Sequence, residues 1–203
     1  ANSQPQLPRC ADRVRVTALN DGTVVSINGT AIAMLNAGAT YEFELQQDAS
    51  QLQIDSRKEV APDYYAGDAC MIETTCPCAV YLYTVGADYD KAPLGDPSMV
   101  WISPIEQRLQ EVTFGVMGTD LTTEHYVNIV TETTNVPTIQ ILNANGANIL
   151  TNPSAYFTTL AADPNFSYAR INVANTTAGQ PNPSYTLKAD GGFVAHVYGS
   201  GRE

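Results

Sequence analysis

Positive charge is scarce in this sequence. Ten Lys and Arg stand against 21 Asp and Glu, only three of the ten are lysines (Lys58, Lys91 and Lys188), and the net charge is -11. Such a chain repels phosphate polyanions unless it gathers a local basic patch, and no patch is visible, which sets nucleic acid aside. Long apolar runs are missing too. Nothing approaches the roughly 18 residues that span a bilayer, and ANSQPQLPR at the start holds no apolar signal core, so the chain reads as soluble with no membrane span. It begins at Ala1, which fits a processed protein or an excerpt of a longer one. Catalytic signatures are also lacking: there is no GxSxG, HExxH, P-loop or GxGxxG. The two histidines are far apart, and His196, alternating with Ala195 and Val197 in VAHVYG, reads as a hydrogen-bonded sheet histidine rather than a general base. No enzyme activity is expected.

What is present points to β structure. At 203 residues and 44% hydrophobic, the chain can bury a core without help from metal or disulfide. Its polarity comes largely from 21 Thr and 14 Asn, with few of the Lys, Glu and Ala runs that build surface helices. Residues 13 to 45 carry the clearest pattern. Val14 and Val16 alternate with Arg13, Arg15 and Thr17, a turn follows at Asn20-Asp21-Gly22, and Val25 and Ile27 lead to Asn28-Gly29. Asn-Gly suits a type I′ hairpin turn, in which both central residues need positive φ. A further turn at Asn36-Ala37-Gly38 returns the chain into Tyr41, Phe43 and Leu45, apolar on one face with Glu42 and Glu44 on the other. Residues 46 to 69 read as a loop. CMIE is then a strand, turned at Thr74-Thr75 into CAVYLYTV, and SMVWIS is another. IEQRLQEVTFGV is ambiguous between helix and strand, with strand favoured in its second half. Asp190-Gly191-Gly192 reads as a hairpin turn between SYTLKA and FVAHVY.

The first pattern returns from residue 126. Val127 and Ile129 stand for Val14 and Val16, Ile139 and Ile141 for Val25 and Ile27, and Cys78 aligns with Phe193. The offset is about 113 to 115 residues, and two copies of one β unit are the simplest account. The expected fold is therefore all-β, with two similar antiparallel β-sandwich-like units from an internal duplication and helix limited to short turns. The boundaries read as a lead-in over 1–12, a first unit over 13–95 and a second over 96–203.

Several segments together resemble the N-terminal domain family of the IgGFc-binding protein, which also occurs in large bacterial surface proteins. They are DRVRVTALNDGTVVSINGTAIAMLNAGATYEFEL, ETTCPCAVYLY, GDPSMVWISPIEQRL, HYVNIVTE and YTLKADGGFVAHVYGSGRE. The pair Gly95-Asp96-Pro97-Ser98 before an apolar strand and Phe193 to Gly199 near the end is the most specific part. The resemblance implies an extracellular or cell-surface, non-catalytic binding or adhesion module of a larger protein, its partner a protein or glycan at a surface. Family domains are usually longer, which makes this chain the later part of one. No antibody-contacting residue is implied, because no residue motif marks one. The alternative is a structural subunit of an extracellular fibre or sheath that assembles with like subunits, suggested by the Thr and Asn content and the few lysines guarding strand edges.

Candidate sites follow from residue chemistry. Cys10, Cys70, Cys76 and Cys78 fit disulfides, buried thiols or a thiolate metal site, in that order, since CxC on a strand entry is poor zinc spacing. The favoured pairings are Cys70 with Cys76, across the turn taken to be a hairpin, and Cys10 with Cys78. Asp88, Asp90 and Asp96 in a turn-rich loop are weak calcium candidates, although their spacing is not that of an EF-hand, and no other cofactor is expected. Tyr64 and Tyr65 are candidates for stacking on a sugar or contacting a protein. Asn28, Asn165 and Asn175 begin N-glycosylation sequons.

Overall fold

The computed structural model describes residues 12–45, 69–84, 97–119, 122–175 and 183–201. The chain divides into two compact units, Ala1–Ile102 and Ser103–Glu203. Every ladder between the described strands is antiparallel. Helix among the described residues is confined to 3-10 turns at Ile105–Gln107, Thr133–Thr138 and Pro153–Ala155.

The first unit contains β1 (Arg13–Ala18), β2 (Thr23–Ile27), β3 (Thr30–Leu35), β4 (Thr40–Glu44), β5 (Ile72–Thr74), β6 (Cys78–Thr84) and β7 (Ser98–Trp101). They form one sheet in the order β4-β1-β6-β7 and another in the order β3-β2-β5. Strand β7, allotted by the sequence pattern to the second unit, thus pairs with β6 of the first. The period-two pattern of β1 decides which face goes inside: Val14, Val16 and Ala18 are buried, while Arg13 is exposed and Arg15 half-buried. Val25 and Leu35 join them from the other sheet, so both sheets feed one core. The β2–β3 hairpin turns at Asn28 (φ 50°) and Gly29 (φ 78°), both positive as type I′ requires. Asn28 also holds β5 in place. Its backbone N–H donates to Met71 O at 2.9 Å, and its Oδ1 accepts from Met71 N–H at 2.9 Å.

The second unit contains β8 (Leu109–Gly115), β9 (Thr122–Glu132), β10 (Gln140–Asn143), β11 (Thr158–Thr159), β12 (Phe166–Asn175) and β13 (Ser184–Gly201). The order is β10-β13-β9-β12-β11, with β8 also pairing β13. Alternation again buries Val127, Ile129 and Thr131 of β9, and Phe193, Leu187, Ile141 and Ile139 fill the same core. The ambiguous stretch after Pro104 is one 3-10 turn followed by β8.

Two turns expected from sequence are not reversals. Asp190-Gly191-Gly192 lies inside the single strand β13, whose first part pairs with β8 and β10 and whose second part pairs with β9. Gly192 (φ 85°) absorbs a register shift between Lys188 and Phe193, so the glycines serve a bulge where the strand changes partners. Thr74-Thr75 likewise separates β5, which pairs β2, from β6, which pairs β1 and β7. Gly and Thr clusters mark a backbone departure in both cases, and only the partners tell a bend from a hairpin.

A buried polar knot braces the change of partners in β13. Asn135 Nδ2 donates to Thr131 Oγ1 and to Gly192 O, each at 2.9 Å, while its Oδ1 accepts from Gly191 N–H and Thr138 Oγ1, each at 2.7 Å. Asp190 N–H donates to Thr138 Oγ1 at 3.1 Å. A Cβ on Gly191 would lie 3.0 Å from Asn135 Cγ, so the knot also fixes glycine there.

Candidate functional site

The sequence-predicted sites fare unevenly. Tyr64, Tyr65, Asp88, Asp90, Asp96 and Cys10 lie outside the described residues. Among the described residues, no group of three or more His, Cys, Asp and Glu could hold a metal ion. Cys70, Cys76 and Cys78 are half-buried and not bridged to one another, so the expected Cys70–Cys76 bridge is not formed. Met71 is bonded to Asn28 and Thr75 to Val24, which stretches residues 71 to 75 along β2 and between the two cysteines. That extended segment alone spans about 13 Å, well beyond the roughly 7 Å Cα separation a disulfide tolerates. Burial pushes the Cys70 thiol up to about 11, and Thr74 Oγ1 donates to Cys78 Sγ at 3.4 Å. Of the sequons, Asn28 and Asn165 are exposed in turns, but Asn165 Nδ2 donates to Asp163 Oδ1 at 2.9 Å. The Asn175 side chain lies outside the described ones.

The side chains that do converge lie on the outer faces of the two main sheets. In the first unit, Glu42, Arg15, Tyr81 and Trp101 stand in one row across β4, β1, β6 and β7. Arg15 Nε donates to Glu42 Oε1 at 2.6 Å, and its guanidinium lies 5.1 Å from the centre of the Tyr83 ring. The hydrogen bond and charge of Glu42 raise the Arg15 pKa further. The cation is thus stacked and neutralised within the fold.

In the second unit, Arg170, Asn128 and His196 form one row across β12, β9 and β13, and Asn172, Tyr126 and Tyr198 form the next. The Tyr126 and Tyr198 rings are stacked, 5.6 Å apart at 22°. Arg170 lies over them, 4.2 Å from the centre of Tyr126 and 5.7 Å from that of Tyr198. Tyr126 OH donates to Glu124 Oε2 at 2.7 Å, and burial, with the Glu124 hydrogen bond behind it, raises the Tyr126 pKa. Tyr198 OH donates to Asn128 Oδ1 at 3.4 Å. Arg170 Nε is buried without a hydrogen-bond partner. Among the described cations, Arg13 and Arg15 are paired with Glu42, Arg108 with Glu132 and Lys188 with Glu111, whereas Arg170 has no carboxylate.

This cluster was not among the sequence candidates. Its members are drawn from HYVNIVTE, FSYARINV and FVAHVYG, and the outward positions of a period-two pattern were the one available signal. The remaining histidine, His125, expected ahead of a strand, instead lies inside β9, buried on the core side, where desolvation lowers its pKa.

These features define an antiparallel, all-β protein with cation–tyrosine clusters on exposed sheet faces. The model of the family described as IgGFc binding protein matches residues 3–199, and the chain belongs to that family. No curated protein matches it. Among solved structures it is similar to an anti-sigma factor domain-containing protein from Clostridium clariflavum, at 14% identity, covering 94% of this chain and 75% of that one, with a TM-score of 0.24.

Proposed function

We propose that the chain is a non-catalytic, extracellular or cell-surface binding module of a larger protein, built from two sandwich-like copies of one β unit. Family membership over residues 3–199 is the observation that carries the binding reading. Strand registers support the duplication. Val14 faces Phe43 and Leu82 where Val127 faces Ile171 and Val197, and Ile27 faces Ile72 where Ile141 faces Leu187. The contribution of both first-unit sheets to one core supports the sandwich-like arrangement. Fluorescently labelled chain should bind intact cells or extracellular matrix saturably and run as a monomer in size-exclusion chromatography. Absence of saturable binding would remove the module reading.

One observation favours the fibre or sheath alternative. Strand β3 pairs only with β2 among the described residues, and TAIAML carries no charge, with Ala31, Ile32 and Met34 exposed. Ordered polymers in electron microscopy would decide for it.

An extracellular location also suits a Cys10–Cys78 crosslink. Arg13 pairs with Tyr83, five residues along β6 from Cys78, a distance of about 17 Å. The three residues back to Cys10 reach at most about 11 Å, so the bridge requires the chain to fold straight back along β1. Intact mass after thiol labelling under denaturing, non-reducing conditions should show two labels, and four would remove the crosslink.

A further inference from the structure

In the first unit, the guanidinium that stacks on Tyr83 meets its carboxylate inside the fold, through Arg15 Nε and Glu42 Oε1. The second unit repeats the platform but not the ion pair. Arg15 faces Glu42 in the row where Asn128 faces Arg170, so the arginine of the second unit stands where the first unit has its acid, and an amide stands where the first has its arginine. Arg170 therefore stacks on Tyr126 and Tyr198 without an ion-pair partner among the described residues, Glu124 being held by Tyr126 OH, and the same Nε atom that is bonded in Arg15 is without a hydrogen-bond partner. A buried donor left unsatisfied is costly, and native structures rarely keep one without a reason. The imbalance is sharper in a chain with 21 acidic residues against 10 basic ones.

We infer that Arg170, held on the Tyr126–Tyr198 platform, is the binding site for the carboxylate of an acidic sugar, the ligand neutralising its guanidinium as Glu42 neutralises that of Arg15. This rests on the binding-module reading and names the ligand class for it. Of the neighbours on the face, Glu124 is engaged by Tyr126 OH, and Asn128, His196 and Asn172 are neutral hydrogen-bonding groups rather than further cations. That mixture suits a polyhydroxylated ligand with one carboxylate better than an acidic peptide. The net charge of -11 disfavours dense polyanions, which suits a ligand that carries its carboxylates sparsely. A planar guanidinium engages a carboxylate through two parallel N–H donors, which a lysine cannot reproduce.

The test is an NMR titration of the whole chain with a glucuronate-terminated trisaccharide. Its methyl ester, identical but for the charge, and a tetraglutamate peptide are the comparison ligands. The acid trisaccharide should shift the amide signals of Tyr126, Arg170 and Tyr198, with the ester weaker by roughly ten-fold or more. Arg170→Gln should lose a similar factor, Arg170→Lys should recover part of it, and Lys188→Gln, which removes the same charge elsewhere, should change binding less than about two-fold. Equal binding of acid and ester, or equal losses in Arg170→Gln and Lys188→Gln, would overturn the site. Tighter binding of tetraglutamate at the same signals would overturn the sugar assignment. Should Arg170→Gln fail to fold, Arg170→Lys carries the test. Saturable cell binding that survives Arg170→Gln would overturn this site and leave the binding-module reading standing, whereas wild-type chain that binds no surface would remove that reading whatever the titration shows.

Discussion

The two units take a strand from one set of partners to another in different ways. In the first, the passage from β5 to β6 is a true break, Thr75-Cys76-Pro77, and Pro77 has no N–H to offer a ladder. Its carbonyl is satisfied by Leu19 N–H at 3.2 Å, while Thr75 Oγ1 accepts from Val24 N–H at 2.9 Å. In the second unit, the same passage runs unbroken through Asp190-Gly191-Gly192, and the hydroxyl comes from the opposite side, with Thr138 Oγ1 accepting from Asp190 N–H. One corner is held by a proline and a threonine, the other by two glycines and a buried asparagine. The difference shows that the position of the bend is dictated by strand pairing, whereas the chemistry that stabilises it is open to substitution.

The largest effect should come from the residue pair that fills this corner. Phe193 is fully buried, and Phe193→Ala should destabilise the second unit by about 3–5 kcal/mol through lost burial and the cavity left behind. Cys78 is half-buried and small, and in the reduced chain Cys78→Ala should cost the first unit only about 1 kcal/mol. Trp101, the one tryptophan in the sequence, sits in β7 of the first unit, so its fluorescence reports that unit while far-UV circular dichroism reports both. Phe193→Ala should bring forward a circular dichroism transition and leave the Trp101 transition in place. A shift of both together would show that the cores do not unfold separately, and the comparison of two independent corners would break.

Next in size is the knot itself. Asn135→Ala would leave Gly191 N–H without its side-chain acceptor and Gly192 O with Thr131 Oγ1 alone, at a cost of about 2 kcal/mol in denaturant unfolding. Thr75→Val in the first unit removes one hydroxyl from the exposed Val24 N–H and should cost about 1 kcal/mol or less. Similar losses for both variants would mean that the knot contributes no more than the exposed bond, and the contrast between the corners would disappear.

Much of this architecture is legible in the sequence, for a reason that has limits. Period-two alternation forces Val14 and Val16 inward and Arg15 outward, and Asn28-Gly29 can turn in few ways, so strands and tight hairpins follow from local chemistry. The change of partners in β13 does not, because a Gly-Gly pair supplies the same conformational freedom to a bulge as to a hairpin. The Cys70–Cys76 pairing failed with it, since it assumed a reversal where the chain runs straight. The Arg170 cluster was hidden for another reason. Tyr126, Arg170 and Tyr198 are separated by 44 and 28 residues, and only the registers of β9 with β12 and β13 bring them onto one face. Alternation names the face of each residue but not its neighbours across strands.

The smallest effect is one of pH, and it should fall on the second unit alone. Two positions before Val127 stands His125, buried and with its pKa lowered by desolvation, whereas two positions before Val14 stands Asp12, half-buried. In the unfolded chain His125 titrates near 6.5, so below that pH the unfolded state binds a proton that the folded state resists. The stability contributed by neutral burial is complete above about 6.5 and is lost as pH falls from there through the folded value. Gly199 lies directly across the ladder, and a Cβ there would come within 3.1 Å of His125 Nδ1, so the sheet leaves the ring little room to move when charged. Chemical unfolding at pH 7.5 and pH 5.5 should therefore show the circular dichroism transition of the second unit moving to lower denaturant in acid. His125→Gln should remove most of that movement. A shift of the same size in His125→Gln would assign the acid sensitivity to carboxylates common to both units, and the histidine would no longer distinguish them.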